Sequence, residues 1–387
     1  MIDKIKDKYV ELFDDNFCLY RAPGRINLLG EHTDYNDGFV LPASIDKAMV
    51  FAVGKNQTKS ICNLYAYDLD EHFSFDLSKV SRGRRDWPNY IKGVIAEIYK
   101  RGKSLEGFNM VFGGNIPLGA GLSSSAALES GVGTALNDLF NLEFDKLELI
   151  KMAQAAEHNY AGVMCGIMDQ FASVMGKDSS AFKLDCRTLE YDYFPLKLKN
   201  YQIILCDTQV KHSLASSEYN TRRKECEEGV EIIKKEIPQV VNLRDVSLEQ
   251  VHLFESKMPE KVYDRCSYVV EENDRVEQAT RALENNDIES LGQLMYATHK
   301  GLQHKYEVSC KELDFLVDLT KDLDYVAGSR MMGGGFGGCT INLVARDQIN
   351  EFEELVFEAY KNEFDKEPKV YEIEVTDGAG KLNVAIV

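Results

Sequence analysis

Residues 113–129 carry the strongest structural signal in this sequence, and they read Gly113-Gly114-Asn115-Ile116-Pro117-Leu118-Gly119-Ala120-Gly121-Leu122-Ser123-Ser124-Ser125-Ala126-Ala127-Leu128-Glu129. Glycines allow a backbone to turn closely around a ligand, and the residues from Ala126 onward have high helix propensity. The first N–H groups of such a helix have no partner within it and favour an anion in the preceding loop. The segment therefore predicts a loop that binds phosphate groups.

The same segment has a simpler interpretation, which is a flexible turn followed by a serine-capped helix. That structure needs one serine and one glycine, whereas the segment contains four glycines and three consecutive serines. We therefore favour phosphate binding. Because Gly-Lys-Ser/Thr is absent, the loop is not a Walker A motif, and the P-loop NTPase fold is disfavoured.

Strand-like and helix-like segments alternate on both sides of this loop through the first 200 residues. Strands are predicted at 17–22, 48–53, 61–65 and 107–112, and helices at 89–100, 125–139 and 143–160. A strand at 201–206 is followed by helices from about 214 to 237 and from 262 to 302, and then by strands at 339–344 and 370–375 around a helix at 348–363. The pattern predicts an α+β fold with two domains, residues 1–195 and 196–387, which share a cleft.

A second cluster of functional side chains follows the first predicted strand and reads Arg21-Ala22-Pro23-Gly24-Arg25-Ile26-Asn27-Leu28-Leu29-Gly30-Glu31-His32-Thr33-Asp34-Tyr35-Asn36. Its proline and glycine predict a loop that presents a guanidinium, an imidazole and two carboxylates within ten residues. Such a set suits a polyhydroxylated ligand, whose hydroxyls each need a donor and an acceptor. A solvated turn with local caps explains this segment equally well when it is considered alone.

Two further carboxylates are candidates for a shared site. Glu157 lies near the end of a predicted amphipathic helix, and Asp169 follows twelve residues later in a predicted glycine-containing loop. One carboxylate could hold Mg²⁺ while the other orients or deprotonates a hydroxyl. Without other information, a helix-capping Asp169 and a surface Glu157 are the more common situation.

The run Gly333-Gly334-Gly335-Phe336-Gly337-Gly338 could be mistaken for a dinucleotide-binding fingerprint. The glycines of that fingerprint follow a strand and open a helix, whereas these open a predicted strand. A tight turn is the default interpretation, and a close approach of the backbone to a ligand is the functional one.

Charge and cysteine content limit the classes of partner. The formal net charge is −18, from 45 Lys+Arg against 63 Asp+Glu, which disfavours nucleic acid and anionic membrane surfaces. The nine cysteines are scattered with no Cys-x-x-Cys pair, which is typical of free thiols in a reducing compartment. The N-terminus predicts an amphipathic helix rather than a signal peptide. We therefore expect a cytoplasmic protein, and we expect it to be a monomer.

Taken together, these segments resemble the galactokinases, a branch of the family that includes homoserine, mevalonate and phosphomevalonate kinases, known as GHMP kinases. The match comprises residues 24–36, the loop 117–127, the stretch Ser213 to Tyr219 and the glycine-rich segment 330–339. The resemblance implies an N-terminal α/β domain, a C-terminal ferredoxin-like domain and an active site in the cleft between them. It also implies the substrates galactose and ATP, with Mg²⁺ as cofactor and phosphoryl transfer to the C1 hydroxyl of the sugar.

The resemblance assigns a role to each candidate residue. Asp169 would accept or orient the proton of the C1 hydroxyl, and Arg25 would be the cation beside it. Ser125 and Glu157 would hold the metal. The residues implied to bind the sugar are Glu31, His32, Thr33, Asp34, Gly166 and Tyr219. The residues implied to bind ATP are Gly119, Ala120, Gly121, Leu122, Ser123, Ser124 and Ser125 at the phosphates and Trp87 and Tyr90 at the adenine.

Three alternatives remain open at this level. A kinase for a related sugar such as N-acetylgalactosamine differs by as little as one substitution in the pocket. A weakly catalytic galactose sensor resembles the family but has a shortened phosphate loop, whereas Ser125-Ala126-Ala127 is intact in this sequence. A dinucleotide-dependent enzyme built on the Gly333 run would produce nicotinamide absorbance changes, which we do not expect.

Overall fold

The computed structural model of the chain describes residues 1–84, 87–117, 119–210 and 215–383, and it describes the side chains of these residues except those of 215–217. Leu118 of the predicted phosphate loop, and Ser213 and Leu214 of the matched stretch, lie outside the described residues. Within them, strands and helices are mixed along the chain, and the predicted α+β class is confirmed.

The strands form three sheets. The strands are β1 (Cys18–Asn27), β2 (Phe39–Val40), β3 (Pro42–Lys55), β4 (Ile61–Ala66), β5 (Glu71–Asp76), β6 (Phe108–Gly114), β7 (Ser180–Asp185), β8 (Tyr191–Pro195), β9 (Tyr201–Asp207), β10 (Val326–Met331), β11 (Cys339–Ala345), β12 (Lys369–Ile373) and β13 (Gly380–Lys381). The largest sheet has the order β13-β1-β3-β6-β4-β5, the second has the order β10-β11-β9-β12, and the smallest has the order β2-β7-β8.

Helices cover these sheets and include two long ones in the second half of the chain. The helices are α1 (Ile2–Leu12), α2 (Trp87–Lys100), α3 (Ser124–Phe140), α4 (Lys146–Ala156), α5 (Met168–Met175), α6 (Ala215–Lys234), α7 (Leu248–Leu253), α8 (Glu260–Glu284), α9 (Ile288–His304), α10 (Lys311–Thr320) and α11 (Ile349–Phe364). Among the described residues, no helix combines the length and the apolar composition that crossing a membrane requires.

The predicted elements are found with shifted ends, and several predictions are wrong in detail. The single helix predicted at 262–302 is two helices, α8 and α9, because the chain turns at Asn285–Asp287. The helix predicted at 143–160 starts at Lys146 and ends in a wide turn of π type, Glu157–Ala161. The loop predicted after Ala22 is instead the second half of β1, which continues to Asn27. The division at 195/196 stays a prediction.

A bulge in β1 explains how a strand can follow Pro23 and Gly24. The pairing with β3 shifts register between Pro23 and Arg25, and there the backbone N–H of Arg25 donates to the carbonyl of Leu122 instead. A Cβ at Gly24 would lie 2.6 Å from that same carbonyl oxygen, so only glycine permits the approach. The bulge therefore joins β1 to the predicted phosphate loop.

Helix α3 lies directly on the large sheet and fixes the other end of that loop. A Cβ at Gly131 would lie 2.1 Å from the ring of Phe51 in β3, which shows how closely helix and sheet approach. The helix begins after Ser123, whose backbone has the left-handed conformation (φ 58°). The loop 119–123 is thus held between a strand and a helix that share one apolar core.

The completely buried Arg330 in β10 connects the second sheet to the end of β1. Its guanidinium donates to the backbone carbonyls of Asn27, Leu28 (2.8 Å) and Met331, and it forms an ion pair with Glu31 (3.1 Å). Buried guanidinium groups require such complete pairing because desolvation of the charge is costly. One side chain thus joins the region of residues 27–31 to the glycine-rich segment that follows β10.

Replacing this guanidinium should destabilise the protein strongly. We expect Arg330→Met to lower the free energy of unfolding by about 3–5 kcal/mol, because the carboxylate of Glu31 stays buried without its cation. Urea denaturation followed by circular dichroism measures the change. The control is Arg223→Met, which removes a partly exposed ion pair with Glu227 and should cost at most about 1 kcal/mol. Equal losses in the two variants would contradict this role for Arg330.

Candidate active site

A cavity of about 230 Å³ collects most of the residues that the sequence predicts to bind a sugar. Its lining consists of Arg25, Glu31, His32, Asp34, Glu157, Val163, Cys165, Met168, Asp169, Tyr219, Gly333, Gly334 and Gly335. These residues come from widely separated parts of the sequence. Motifs far apart in the sequence therefore meet at one cavity, although the predicted phosphate loop is not part of its lining.

Asp169 lies between this cavity and the predicted phosphate loop. It belongs to the first turn of α5, not to a loop as predicted, and a helix N-terminus favours a carboxylate there. Its Oδ1 accepts from Nε of Arg25 at 2.8 Å, and its Oδ2 accepts from the hydroxyl of Ser123. The Nη1 of Arg25 donates in turn to the carbonyl of Gly121. Arg25 and Asp169 are therefore fixed relative to the loop by direct bonds.

The cavity holds more carboxylates than cations. Burial alone would lower the pKa of Arg25, but the carboxylates of Asp169 and Glu31 raise it above its usual value. Burial raises the pKa of Asp34 to about 7, and the negative charges of Asp169 and Glu31 contribute to this increase. A neutral ligand rich in hydroxyl donors is the type of molecule that this environment accommodates.

Glu31 is held from the side of the second sheet. Its Oε1 accepts from Arg330 and, at 2.8 Å, from the backbone N–H of Gly333. The glycine run therefore approaches both the cavity and a predicted ligand residue, which supports its functional interpretation. Gly335 has a positive φ of 83°, and a Cβ there would lie 2.2 Å from the carbonyl oxygen of Val308.

His32 and Tyr219 form an aromatic wall of the cavity. Their ring centroids lie 5.3 Å apart. Burial lowers the pKa of His32 to about 3, so the imidazole is neutral near pH 7. Its Nδ1 lies 2.8 Å from the hydroxyl of Tyr35, which is bonded to the hydroxyl of Tyr306.

Two predicted sugar-binding residues differ from the others. Thr33 is fully buried and does not line the cavity; its hydroxyl lies 2.8 Å from the carbonyl of Gly30 and 2.6 Å from that of Phe39. Its predicted contact with the sugar is therefore not supported, and its contribution is to hold the loop. Gly166 is buried behind Asp34, where any Cβ would lie 1.9 Å from the Oδ2 of that residue.

Ser125 and Glu157 meet at the boundary of the cavity. The Ser125 hydroxyl donates to Oε1 of Glu157 at 2.9 Å, and the amide of Gln170 donates to Oε2 at 2.7 Å. Burial, together with the charge of Asp169, raises the pKa of Glu157 to about 7. The π-type turn that begins at Glu157 brings its carboxylate to the start of α3.

A second, mostly apolar cavity of about 380 Å³ lies on the other side of Ser125. Its lining consists of Met49, Ala66, Asp68, Leu69, Trp87, Tyr90, Phe112, Gly114, Ile116, Ser124, Ser125 and Leu128. An apolar slot with aromatic walls suits a flat heterocycle. The indole N–H of Trp87, the first residue of α2, donates to Glu71 at 2.8 Å and so holds the ring in place. Trp87 and Tyr90 therefore lie where a nucleobase would be expected.

Several residues that shape the site were not predicted. Arg330 and the backbone of Gly333 orient Glu31, and Ser123 bonds to Asp169 although it was expected only at the phosphates. A charged residue directly before the apolar pair Met331 and Met332 was the available signal for Arg330, since a buried charge requires a partner. The pairing between Ser123 and Asp169 depends on tertiary structure and has no local signal.

Comparison with known proteins shows the family of this chain. The model of the galactokinase galactose-binding signature matches residues 7–55, and those of the N- and C-terminal GHMP kinase domains match residues 89–177 and 279–362. The galactokinase of Thermotoga neapolitana is 42% identical over 362 residues, which cover 94% of this chain and 99% of that protein. This chain belongs to the galactokinase family. The galactokinase of Clostridium acetobutylicum is 40% identical over 389 residues, which cover 99% of this chain and 100% of that protein.

Solved structures give the same result for the fold of this galactokinase. The crystal structure of Lactococcus lactis galactokinase complexed with galactose has a TM-score of 0.95 at 36% identity, and it covers 98% of this chain and 99% of that one. The mevalonate kinase of Methanococcus jannaschii, at 18% identity and a TM-score of 0.67, shares the fold over 94% of this chain. The chain is a sugar kinase with the two-part GHMP kinase fold, as its motifs predicted.

Gly166 offers a sharp test of the sugar cavity. In Gly166→Ala the new Cβ displaces the carboxylate of Asp34, so we expect KM for galactose to rise about 10- to 100-fold, the equivalent of losing one charged hydrogen bond. Galactose-dependent ADP release measures this change. The control is Gly133→Ala in α3, whose nearest neighbours lie 3.6 and 3.8 Å away. It should leave KM unchanged, and a similar rise in both variants would contradict the role of Gly166.

Proposed function

We propose that this galactokinase transfers the γ-phosphoryl group of ATP to the C1 hydroxyl of galactose, with Asp169 and Arg25 at the reacting oxygen. The observation that carries the proposal is the position of the Asp169 carboxylate. It lies on the wall of the hydroxyl-binding cavity and is bonded, through Ser123 and Arg25, to the loop expected to hold the phosphates.

The transfer step requires alignment more than covalent participation of the protein. The C1 hydroxyl loses its proton to a carboxylate oxygen of Asp169, and its oxygen forms the new bond to the γ-phosphorus. The bond between that phosphorus and the bridging oxygen breaks, and ADP leaves. Arg25, bonded to Asp169 at 2.8 Å, stabilises the negative charge on the attacking oxygen.

The remaining sugar hydroxyls have candidate partners in the same cavity. The carboxylates of Glu31 and Asp34 can accept from hydroxyl groups, while His32 and Tyr219 cover the sugar from one side. Glucose differs from galactose only in the direction of one hydroxyl, and misplacing a hydroxyl would leave a buried carboxylate without its donor. Such a loss discriminates far better than an apolar contact does.

The residues at the phosphate side fit a magnesium ion. Among the described residues, no group of three or more His, Cys, Asp or Glu side chains forms a metal cage. Mg²⁺ commonly uses one or two protein oxygens together with substrate phosphates, and the Ser125 hydroxyl and Glu157 carboxylate are suitable ligands. When bound, the ion would offset the phosphate charge that this acidic cavity otherwise repels. A cytoplasmic location and a monomeric state stay predictions.

Removing the negative charge of Asp169 tests the proposed chemistry. We expect Asp169→Asn to lower kcat about 10²- to 10⁴-fold, which is the usual contribution of a positioned acid or base, while galactose still binds. A coupled ADP-release assay measures kcat, and calorimetric titration measures binding. The control is Asp192→Asn on the exposed face of β8, which should retain the wild-type rate.

The same assay, run with several phosphoryl acceptors, tests which substrate the enzyme prefers. Galactose should give the highest rate of ADP release, because the cavity is small and lined by carboxylates. Lower rates are expected with glucose, 2-deoxygalactose, N-acetylgalactosamine and homoserine. An undiminished rate in Asp169→Asn would remove that residue from the mechanism. A preference for N-acetylgalactosamine would reassign the substrate.

The raised pKa of Glu157 predicts a pH-dependent affinity for the metal. Below pH 7 the carboxyl is protonated, and a cation must displace that proton to bind. With a non-hydrolysable ATP analogue present, we expect Mn²⁺ affinity to fall about tenfold from about pH 8 to about pH 6. The concentration of free Mn²⁺, measured by electron paramagnetic resonance, gives this affinity.

A matched variant separates this effect from titration of the nucleotide itself. Glu157→Gln should bind Mn²⁺ weakly and with a much smaller dependence on pH. Glu227→Gln, at an exposed position of α6, should reproduce the wild-type curve. Identical curves for wild type and Glu157→Gln would exclude Glu157 as a ligand.

A further inference from the structure

A buried chain of hydroxyl groups leads away from the sugar cavity behind His32. The hydroxyl of Tyr35 lies 2.8 Å from Nδ1 of His32 and 2.8 Å from the hydroxyl of Tyr306. The hydroxyl of Tyr306 in turn lies 3.3 Å from the sulfur of Cys226. Tyr306 and Cys226 are completely buried, and neither they nor Tyr35 line the cavity. These hydrogen-bonded side chains can therefore affect a ligand in the cavity only through the imidazole of His32.

The other ring nitrogen of His32, Nε2, is not bonded to the tyrosines. Nε2 is buried, and it has no hydrogen-bond partner among the described residues, although the backbone of Gly334 approaches the ring. His32 itself lines the cavity. A neutral imidazole carries one proton, so this nitrogen is either a donor or an acceptor, and the partner of Nδ1 decides which.

The protonation states of Cys226, Tyr306 and Tyr35 determine the direction of the hydrogen bonds that lead to His32. Burial raises the pKa of Cys226 to about 12 and those of Tyr35 and Tyr306 well above their usual values, so all three groups keep their protons. The unprotonated imidazole nitrogen is a strong acceptor, whereas a thiol sulfur is a weak one. Protons are therefore best directed from Cys226 through both phenols towards Nδ1.

We propose that Tyr35 and Tyr306 are positioning residues that hold His32 in the tautomer with its proton on Nε2, which makes His32 a hydrogen-bond donor to a hydroxyl oxygen of the sugar. The inference rests on the proposed function for the identity of the sugar. It complements the carboxylates of Glu31 and Asp34, whose ionised oxygens are acceptors. A sugar hydroxyl can then donate to a carboxylate and accept from His32.

The tautomer can be observed without any sugar or catalysis. In protein labelled with ¹⁵N-histidine, long-range ¹H–¹⁵N spectra distinguish a protonated from an unprotonated ring nitrogen, and His32→Gln assigns the signals. We expect wild-type His32 to have a protonated Nε2, and we expect Tyr35→Phe to shift the signals towards a mixture of tautomers. A proton on Nδ1 in the wild type would overturn the proposal, whatever the substrate proves to be.

Kinetics with sugar analogues then test the consequence. Tyr35→Phe should raise KM for galactose about threefold to tenfold, the usual effect of one neutral hydrogen bond, with kcat and KM for ATP nearly unchanged. Among the 2-, 3-, 4- and 6-deoxy analogues, the one lacking the hydroxyl that accepts from His32 should show no difference between the two enzymes. At that position wild type should use the deoxyfluoro sugar better than the deoxy sugar, since fluorine can accept but not donate.

The control removes a phenolic hydroxyl from a tyrosine that is partly buried like Tyr35 but does not line the cavity. Tyr296 in α9 bonds to the hydroxyl of Thr320 at 2.9 Å, and Tyr296→Phe should leave every KM unchanged. An increase in KM of equal size for all four deoxy analogues in Tyr35→Phe would indicate a general structural defect and would refute the proposed role. Tyr306→Phe should give a smaller effect of the same pattern, because Tyr35 can still donate to Nδ1.

Discussion

The buried guanidinium of Arg25 is the interaction on which the site depends. It is bonded to Asp169 on one side and to the carbonyl of Gly121 on the other, so it joins the carboxylate at the cavity to the loop ahead of α3. A buried cation in this position is stable only if both partners are present. The bulge at Gly24 brings β1 close to this loop, because the backbone N–H of Arg25 donates there to the carbonyl of Leu122. The backbone shape at Gly24, the ion pair between Arg25 and Asp169, and the position of Asp169 relative to the loop therefore depend on one another.

Much of this arrangement could be predicted from the sequence because its signals are local. Three serines after a glycine-rich turn predicted the start of α3 to within one residue, and the strands around it followed from their apolar patterns. The cluster at Glu31, His32 and Asp34 was a candidate ligand site because its functional groups lie within four residues of one another, although a solvated turn explained the segment equally well. The resemblance to a kinase family then supplied roles that spacing alone left open.

The remaining features depend on contacts between residues that are distant in sequence. Nothing near Thr33 indicates that its hydroxyl faces the carbonyls of Gly30 and Phe39, and its sequence neighbours in the cavity lining do not reveal that it lies outside that lining. Arg25 was placed in a loop because proline and glycine usually end strands, yet a bulge absorbs both. The partners of Arg330 are about 300 residues away, and no periodic pattern reveals them.

The electrostatics of the site also explain how so acidic a protein can use a polyanionic substrate. Glu31, Asp34, Glu157 and Asp169 border one cavity, and burial together with the negative charge of Asp169 raises the pKa values of Asp34 and Glu157. Such a cavity attracts hydroxyl donors and cations and repels free phosphate. Attraction for the phosphates must therefore come from nearby sources of limited range, namely the N-terminus of α3, Arg25 and, as proposed above, a divalent cation that Ser125 and Glu157 would hold. Ser125, at the start of α3, borders the apolar slot, whereas the four carboxylates border the other cavity, so the charge distribution favours a neutral substrate in that cavity and an anionic one beside the slot.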